Sequence, residues 1–160
     1  MNNYKLLRPI VLSFGLSAAG CAGTHTVRTS ADTAIVQASA EAACGSTGAA
    51  RVAQRQAAIE TIKAGYDRYV IFDAAAANNV QLSQLPGSYN TSSTVTGNFI
   101  TTTTTYQPGA MISTGNYDQS FAIKMFKEGD PNASSALSAR EILGPKWPEL
   151  IKSGSVTTCL

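Results

Sequence analysis

Residues 74–117 of this 160-residue chain, 44 in succession, carry no charged side chain. About half of the stretch is Thr, Ser, Asn or Gly, and it includes the run NFITTTTTYQPG. Thr, Tyr, Ile and Val favour extended backbone, so the segment reads as strand rather than helix. Thr96-Gly97-Asn98 supplies a turn between residues 89–95 and 99–106. The expectation is an uncharged β-hairpin or a long, partly ordered loop. Its functional reading is a contact surface: hydroxyls, amides and the rings of Tyr89, Phe99, Tyr106 and Tyr117, offered to a glycan, to peptidoglycan or to the sheet edge of a partner. The plainer alternative is a low-complexity insertion without a ligand, since long loops in compact domains are either functional or disordered. No lysine protects the strand edges against aggregation.

The flanks carry the elements of an α+β domain. In Thr33–Glu41, Ala34, Val36, Ala38 and Ala40 alternate with Ile35, Gln37, Ser39 and Glu41, the period of a half-buried strand. After Cys44-Gly45, Ser46 or Thr47 can cap a helix over residues 48–64, which Gly65 stops. Its inner stripe is Ala50, Ala53, Ala57, Ile59 and Ile62, with Arg51, Arg55, Glu60 and Lys63 mainly outside. So many alanines let the helix approach a sheet closely. Residues 66–73 read as a central strand, with Tyr69 and Ile71 on one face and Arg68, Val70 and Phe72 on the other. Residues 119–127 form another, with Phe121, Ile123 and Met125 inward. Asp130-Pro131 starts a helix over 133–143 that Gly144-Pro145 ends. Trp147 and Leu150 close the core from a short turn, and residues 155–159 finish as a short edge strand. The expected architecture is a small antiparallel sheet packed by one long alanine-rich helix and a C-terminal helix, with residues 74–117 as an insertion.

The beginning of the chain speaks about location. Lys5 and Arg8 precede an apolar run over residues 10–19, about the length of a secretory core and too short to span a bilayer. Ala18, Ala19 and Gly20 then lead to Cys21. LSAAGCAG resembles the lipobox of bacterial lipoproteins, although Ala18 stands where leucine is usual, which leaves an ordinary A-x-A-like cut open. The resemblance implies a signal peptide over 1–20, a diacylglycerol on the Cys21 thiol and acylation of the new amino terminus, hence a lipid-anchored envelope protein. Ala22, rather than aspartate, implies sorting to the outer membrane. Residues 22–32, AGTHTVRTSAD, lack a periodic apolar face and read as a tether that reaches at most about 35 to 40 Å. His25, the one histidine, lies in it. With Cys21 acylated, Cys44 and Cys159 remain as an even pair in an exported chain, and a disulfide is expected between them. The alternative is two unbridged thiols.

Residues 40–160 also resemble small bacterial envelope lipoproteins. The likeness rests on the order of Cys44, the alanine-rich helix, Gly65-Tyr66-Asp67, Met125-Phe126-Lys127 and Ala139-Arg140 before Gly144-Pro145. It implies a single α+β domain over 33–160 and transfers no catalytic residue.

Charge and chemistry exclude more than they suggest. Lys5 and Arg8 account for the formal +2, so residues 21–160 carry ten basic against ten acidic side chains. The pI of 8.5 is therefore no argument for nucleic acid, which needs a clustered basic surface. No metal or cofactor motif is present, and a lone tether histidine builds no imidazole site. Asp67 and Asp73 would lie roughly 20 Å apart along a strand, too far for a glycosidase pair. Asp118, Glu128 and Asp130 fall at strand and helix ends, where capping suffices. Asn90-Thr91-Ser92 and Asn132-Ala133-Ser134 match glycosylation sequons, which mean nothing by default in a bacterial lipoprotein. The expectation is a non-enzymatic envelope protein acting through protein or cell-wall contact. A periplasmic sensor or inhibitor and, further behind, a carboxylate hydrolase are the alternatives.

Overall fold

The inward alanines and valine of residues 33–41 fix the middle of the molecule. The computed structural model describes residues 21–159, so the expected signal peptide lies outside the described residues. Strand β2 (Thr33–Glu41) buries Ala34, Val36, Ala38 and Ala40 and exposes or half-exposes the residues between them. It pairs with β8 (Asn116–Phe126), and β8 with β3 (Arg68–Asn78), both antiparallel. Strand β1 (Ala22–Arg28) adds to β2 at one edge and the two-residue β9 (Leu137–Ser138) adds to β3 at the other, giving the order β1-β2-β8-β3-β9. Helix α1 (Gly45–Lys63) packs against one face of this sheet. The fold is α+β, as the sequence predicts.

Alanine governs how helix and sheet meet. Ala53, Ala57 and Ala58 on α1 face Ala34, Val36 and Ala38 on β2 within one cluster, joined by Ile59, Tyr69, Ile123 and Met125. Small side chains on both layers bring backbone close to backbone, so large residues are needed only around the contact. Ala50 sits at the margin, and Val52, Gln56 and Thr61 take buried places that the apolar stripe does not include. Thr61 enters by donating its hydroxyl to the Ala57 carbonyl at 2.7 Å. Gln56 enters by filling four hydrogen bonds: its Oε1 accepts from Thr24 Oγ1 and Val156 N, and its Nε2 donates to Glu60 Oε1 and the Gly154 carbonyl.

Several boundaries differ from expectation for local reasons. The predicted tether is strand β1, because an edge strand needs only a backbone partner and small inward residues. Ala22, Thr24 and Thr26 turn toward the helix side, while His25 and Val27 face out. Residues 29–32 form the connecting turn, tied by the Ser30 hydroxyl to Asp32 and Thr33. Neither Ser46 nor Thr47 caps α1, since the helix starts at Gly45, three residues earlier than expected, behind Cys44 and without a side-chain cap. Gly65 does end it, at φ +82°. The predicted helix over 133–143 is interrupted: Leu137 and Ser138 pair with Tyr69 and Arg68, and Ser138 then caps α2 (Ala139–Leu143), a helix of five residues. Asp130 caps only a short 3-10 turn before it. Helix α3 (Trp147–Ser153) brings Trp147, Leu150 and Ile151 against the core. The predicted terminal strand reduces to one pairing, Thr158 with Cys21.

Cys44 and Cys159 are disulfide-bonded across 115 residues of chain. Gly48 lies under the bridge, where a Cβ would stand 2.8 Å from that of Cys44. In the chain-entropy account a closed loop of this length contributes about 4 to 5 kcal/mol.

Candidate functional site

Beyond Asn78 and Tyr117, β3 and β8 leave the sheet together and run on as a two-stranded arm. Strand β4 (Gln81–Gln84) pairs with β7 (Met111–Thr114), and β5 (Ser88–Thr96) pairs with β6 (Phe99–Gln107). The pairing is interrupted twice, between the main sheet and β4–β7 and again between β4–β7 and β5–β6. At the first interruption Gly115 adopts φ +95° and lies so close to the Asn79 carbonyl that a Cβ would stand 2.1 Å from its oxygen. At the tip Gly97 takes a positive φ and Asn98 does not, the two-residue turn whose twist suits a hairpin. The hairpin is thus the one expected from Thr96-Gly97-Asn98, one residue longer at three of its four ends.

Every residue of β4, β5, β6 and β7 is exposed. Exposure reaches 73% at Tyr89, 67% at Val95, 79% at Phe99 and 71% at Ile100. An isolated two-stranded ribbon is marginally stable in water, and both of its edges present unpaired N–H and C=O groups. The register sorts its side chains. Tyr89, Thr91, Ser93 and Val95 lie opposite Tyr106, Thr104, Thr102 and Ile100 on one face. The Tyr89 and Tyr106 rings stand 5.0 Å apart at the root end, and Val95 and Ile100 sit together near the tip. Between these apolar pairs Thr91 hydrogen-bonds Thr104 at 3.0 Å and Ser93 bonds Thr102 at 2.9 Å. The other face is Ser, Thr, Asn and Gln, with Phe99 at the tip.

The arm therefore brings together Tyr89 and Tyr106 at its root and carries Phe99 apart from them, at the tip and on the other face. Tyr117 stands apart: it belongs to β8 inside the main sheet, half-buried opposite Ala40 and Asn78. Cys21 is exposed with a free thiol, outside the disulfide. It sits at the arm end of the sheet, because Ala22 pairs with Ala40, Ala40 with Tyr117, and Tyr117 with Asn78. Only β2 separates β1 from β8, so Cys21 lies on the order of 10 Å sideways from the arm's root. The sequence marks both features; their shared end emerges only from the strand order.

The sheet face away from α1 is open. A shallow hollow of about 640 Å³ crosses it, lined by His25, Gln37, Ser39, Ala75, Ala77 and Asp118. Asp118 accepts from Asn79 Nδ2 and Asn116 Nδ2, both at 2.7 Å, and Asn116 also reaches the Ser39 hydroxyl. Several other carboxylates are engaged in contacts between neighbouring elements or within turns. Asp67 accepts from Glu128 N and Arg140, Glu128 pairs with Arg68, and Asp130 bonds Asn132. The Ser30 hydroxyl, assisted by Lys124, holds the Asp32 carboxyl below its usual value. Among the described residues no three of His, Cys, Asp and Glu are grouped to hold a metal, and no helix is long and apolar enough to cross a membrane.

No protein-family description, curated protein or solved structure matches this chain.

Proposed function

We propose that this chain is a lipid-anchored protein of the bacterial envelope, sorted to the outer membrane, that acts through contact made by its arm. The observation that carries the reading is the arm itself: a charge-free ribbon, exposed along its whole length, with two open edges and apolar residues on display. A chain that must only stay soluble gains nothing from such a surface. The lipid anchor is supported by the lipobox-like sequence and by the exposed, unbridged thiol of Cys21.

In-cell photocrosslinking from positions 89 and 106, in the wild type and in Cys21→Ser, tests both halves. Membrane association that is lost in Cys21→Ser, with crosslinks from the arm to an envelope component, is the expected result. A Cys21 peptide of unmodified mass would overturn the anchor. Crosslinks no more frequent than from an exposed residue of α1, such as Arg51, would overturn the arm as contact surface. Capture of a single envelope protein would favour a sensor or inhibitor role within the same reading.

A further inference from the structure

The arm has the dimensions and the sidedness of a membrane-crossing hairpin. β5 and β6 are nine residues each, and a tilted strand needs roughly 9 to 11 to cross hydrocarbon. No charge would have to enter the bilayer, since residues 74–117 hold none. Tyr89, Val95, Ile100 and Tyr106 share one face, with the two tyrosines at the root, where spanning strands place aromatic residues at an interface, and Val95 and Ile100 toward the tip; Phe99 stands at the tip on the opposite face. The four hydroxyls at mid-length on that face are paired, Thr91 with Thr104 and Ser93 with Thr102, so each enters an apolar medium with a partner. The opposite face, Asn90, Ser92, Thr94, Thr101, Thr103 and Thr105, suits water.

We propose that the arm inserts into a lipid bilayer and that arms of several copies pair edge to edge, closing a transmembrane β-barrel with a hydroxyl-lined lumen. The pairing follows from the insertion, because hydrocarbon tolerates no open strand edge. Each copy contributes two strands, so β5 of one copy meets β6 of the next and the strand number is even. The inference rests on the reading of the arm as the contact surface and names its partner as lipid. Position agrees: Cys21 and the root of the arm share one end of the sheet, so an acyl chain on Cys21 draws that end to the bilayer. The nine residues from Asn79 to Gly87 span at most about 30 Å, enough to carry the hairpin from the domain into the membrane.

The test uses the full mature chain, purified from membranes in detergent and diluted into phosphatidylethanolamine/phosphatidylglycerol vesicles loaded with a self-quenched dye. Release of dye is expected. Thr102→Arg, which puts a guanidinium on the lipid-facing side, should lower release at least tenfold. Thr103→Arg, one residue on and facing the lumen, should retain it and shift ion selectivity toward anions. Both sites are exposed and outside the core, and circular dichroism verifies the fold of each variant. Single cysteines along 100–106, labelled with an environment-sensitive fluorophore, should alternate between lipid-quenched at even and water-quenched at odd positions. Equal water access at every position and no release would overturn insertion. Equal effects of the two arginines would overturn the assigned sidedness. If insertion fails while arm crosslinks to an envelope protein persist, the contact reading stands and only this inference falls.

Discussion

Gln56 holds three parts of the chain together, since its amide meets β1 through Thr24, the C-terminal segment through Gly154 and Val156, and its own helix through Glu60. Leucine at this site keeps the volume but leaves the Val156 N–H buried without an acceptor. Gln56→Leu should therefore destabilise the domain by about 2 to 3 kcal/mol, measured by urea denaturation, although the new side chain is more apolar. Tyr69 is likewise buried with a polar end, donating its hydroxyl to the Gln54 carbonyl at 3.0 Å. Burial pushes its phenol well above its ordinary value. A group whose pKa is raised by folding contributes stability that is complete below the unfolded pKa, about 10, and fades as pH rises beyond it. Wild-type stability should fall more steeply than that of Tyr69→Phe between pH 10 and 11.5. At pH 7 the same variant should cost about 1 kcal/mol for the lost hydrogen bond. Parallel curves for the two proteins would contradict the assignment.

The arm contributes no residue to the core cluster. Deleting residues 81–114 leaves Asn79, Val80 and Gly115 to close a three-residue hairpin on β3 and β8, and Gly115 already has the positive φ that such a turn uses. Stability should change by less than about 1 kcal/mol, read by thermal and urea unfolding of the shortened protein. A collapse of stability would show that the ribbon supports the sheet. The hairpin was legible in the sequence because a turn tripeptide lies between runs of β-forming residues, and β2 because its alanines alternate. Strand β1 was not: AGTHTVR looks like a tether until β2 offers its edge, and that offer is a tertiary event with no local signature. The break at Leu137-Ser138 escaped for the same reason, as pairing with β3 outweighs helix propensity there. Tyr117 looked like part of the uncharged surface because composition ignores where a strand enters a sheet. Of the candidate surface, Tyr89, Phe99 and Tyr106 were readable and their division between two faces followed from the register.

At the scale of the molecule, the start and the end of the described chain meet at one corner. Cys21 pairs with Thr158, Ala22 N donates to the Thr157 carbonyl, and Cys44 is bonded to Cys159 nearby. With β1 in place of a tether, the proposed acyl group on Cys21 would leave no slack, and the sheet end that carries the arm would be held against the headgroups. The order of the thiols along the chain adds a constraint on maturation. During synthesis the first two to become available are Cys21 and Cys44, whereas the native partner of Cys44 arrives only after another 115 residues, the whole arm among them. Thiolate exchange favours whichever sulfur is within reach. The acyl group proposed on Cys21 would thus do more than anchor: by retiring the early competitor it would leave Cys44 waiting for Cys159, and lipid attachment would act as a proofreading step for oxidation.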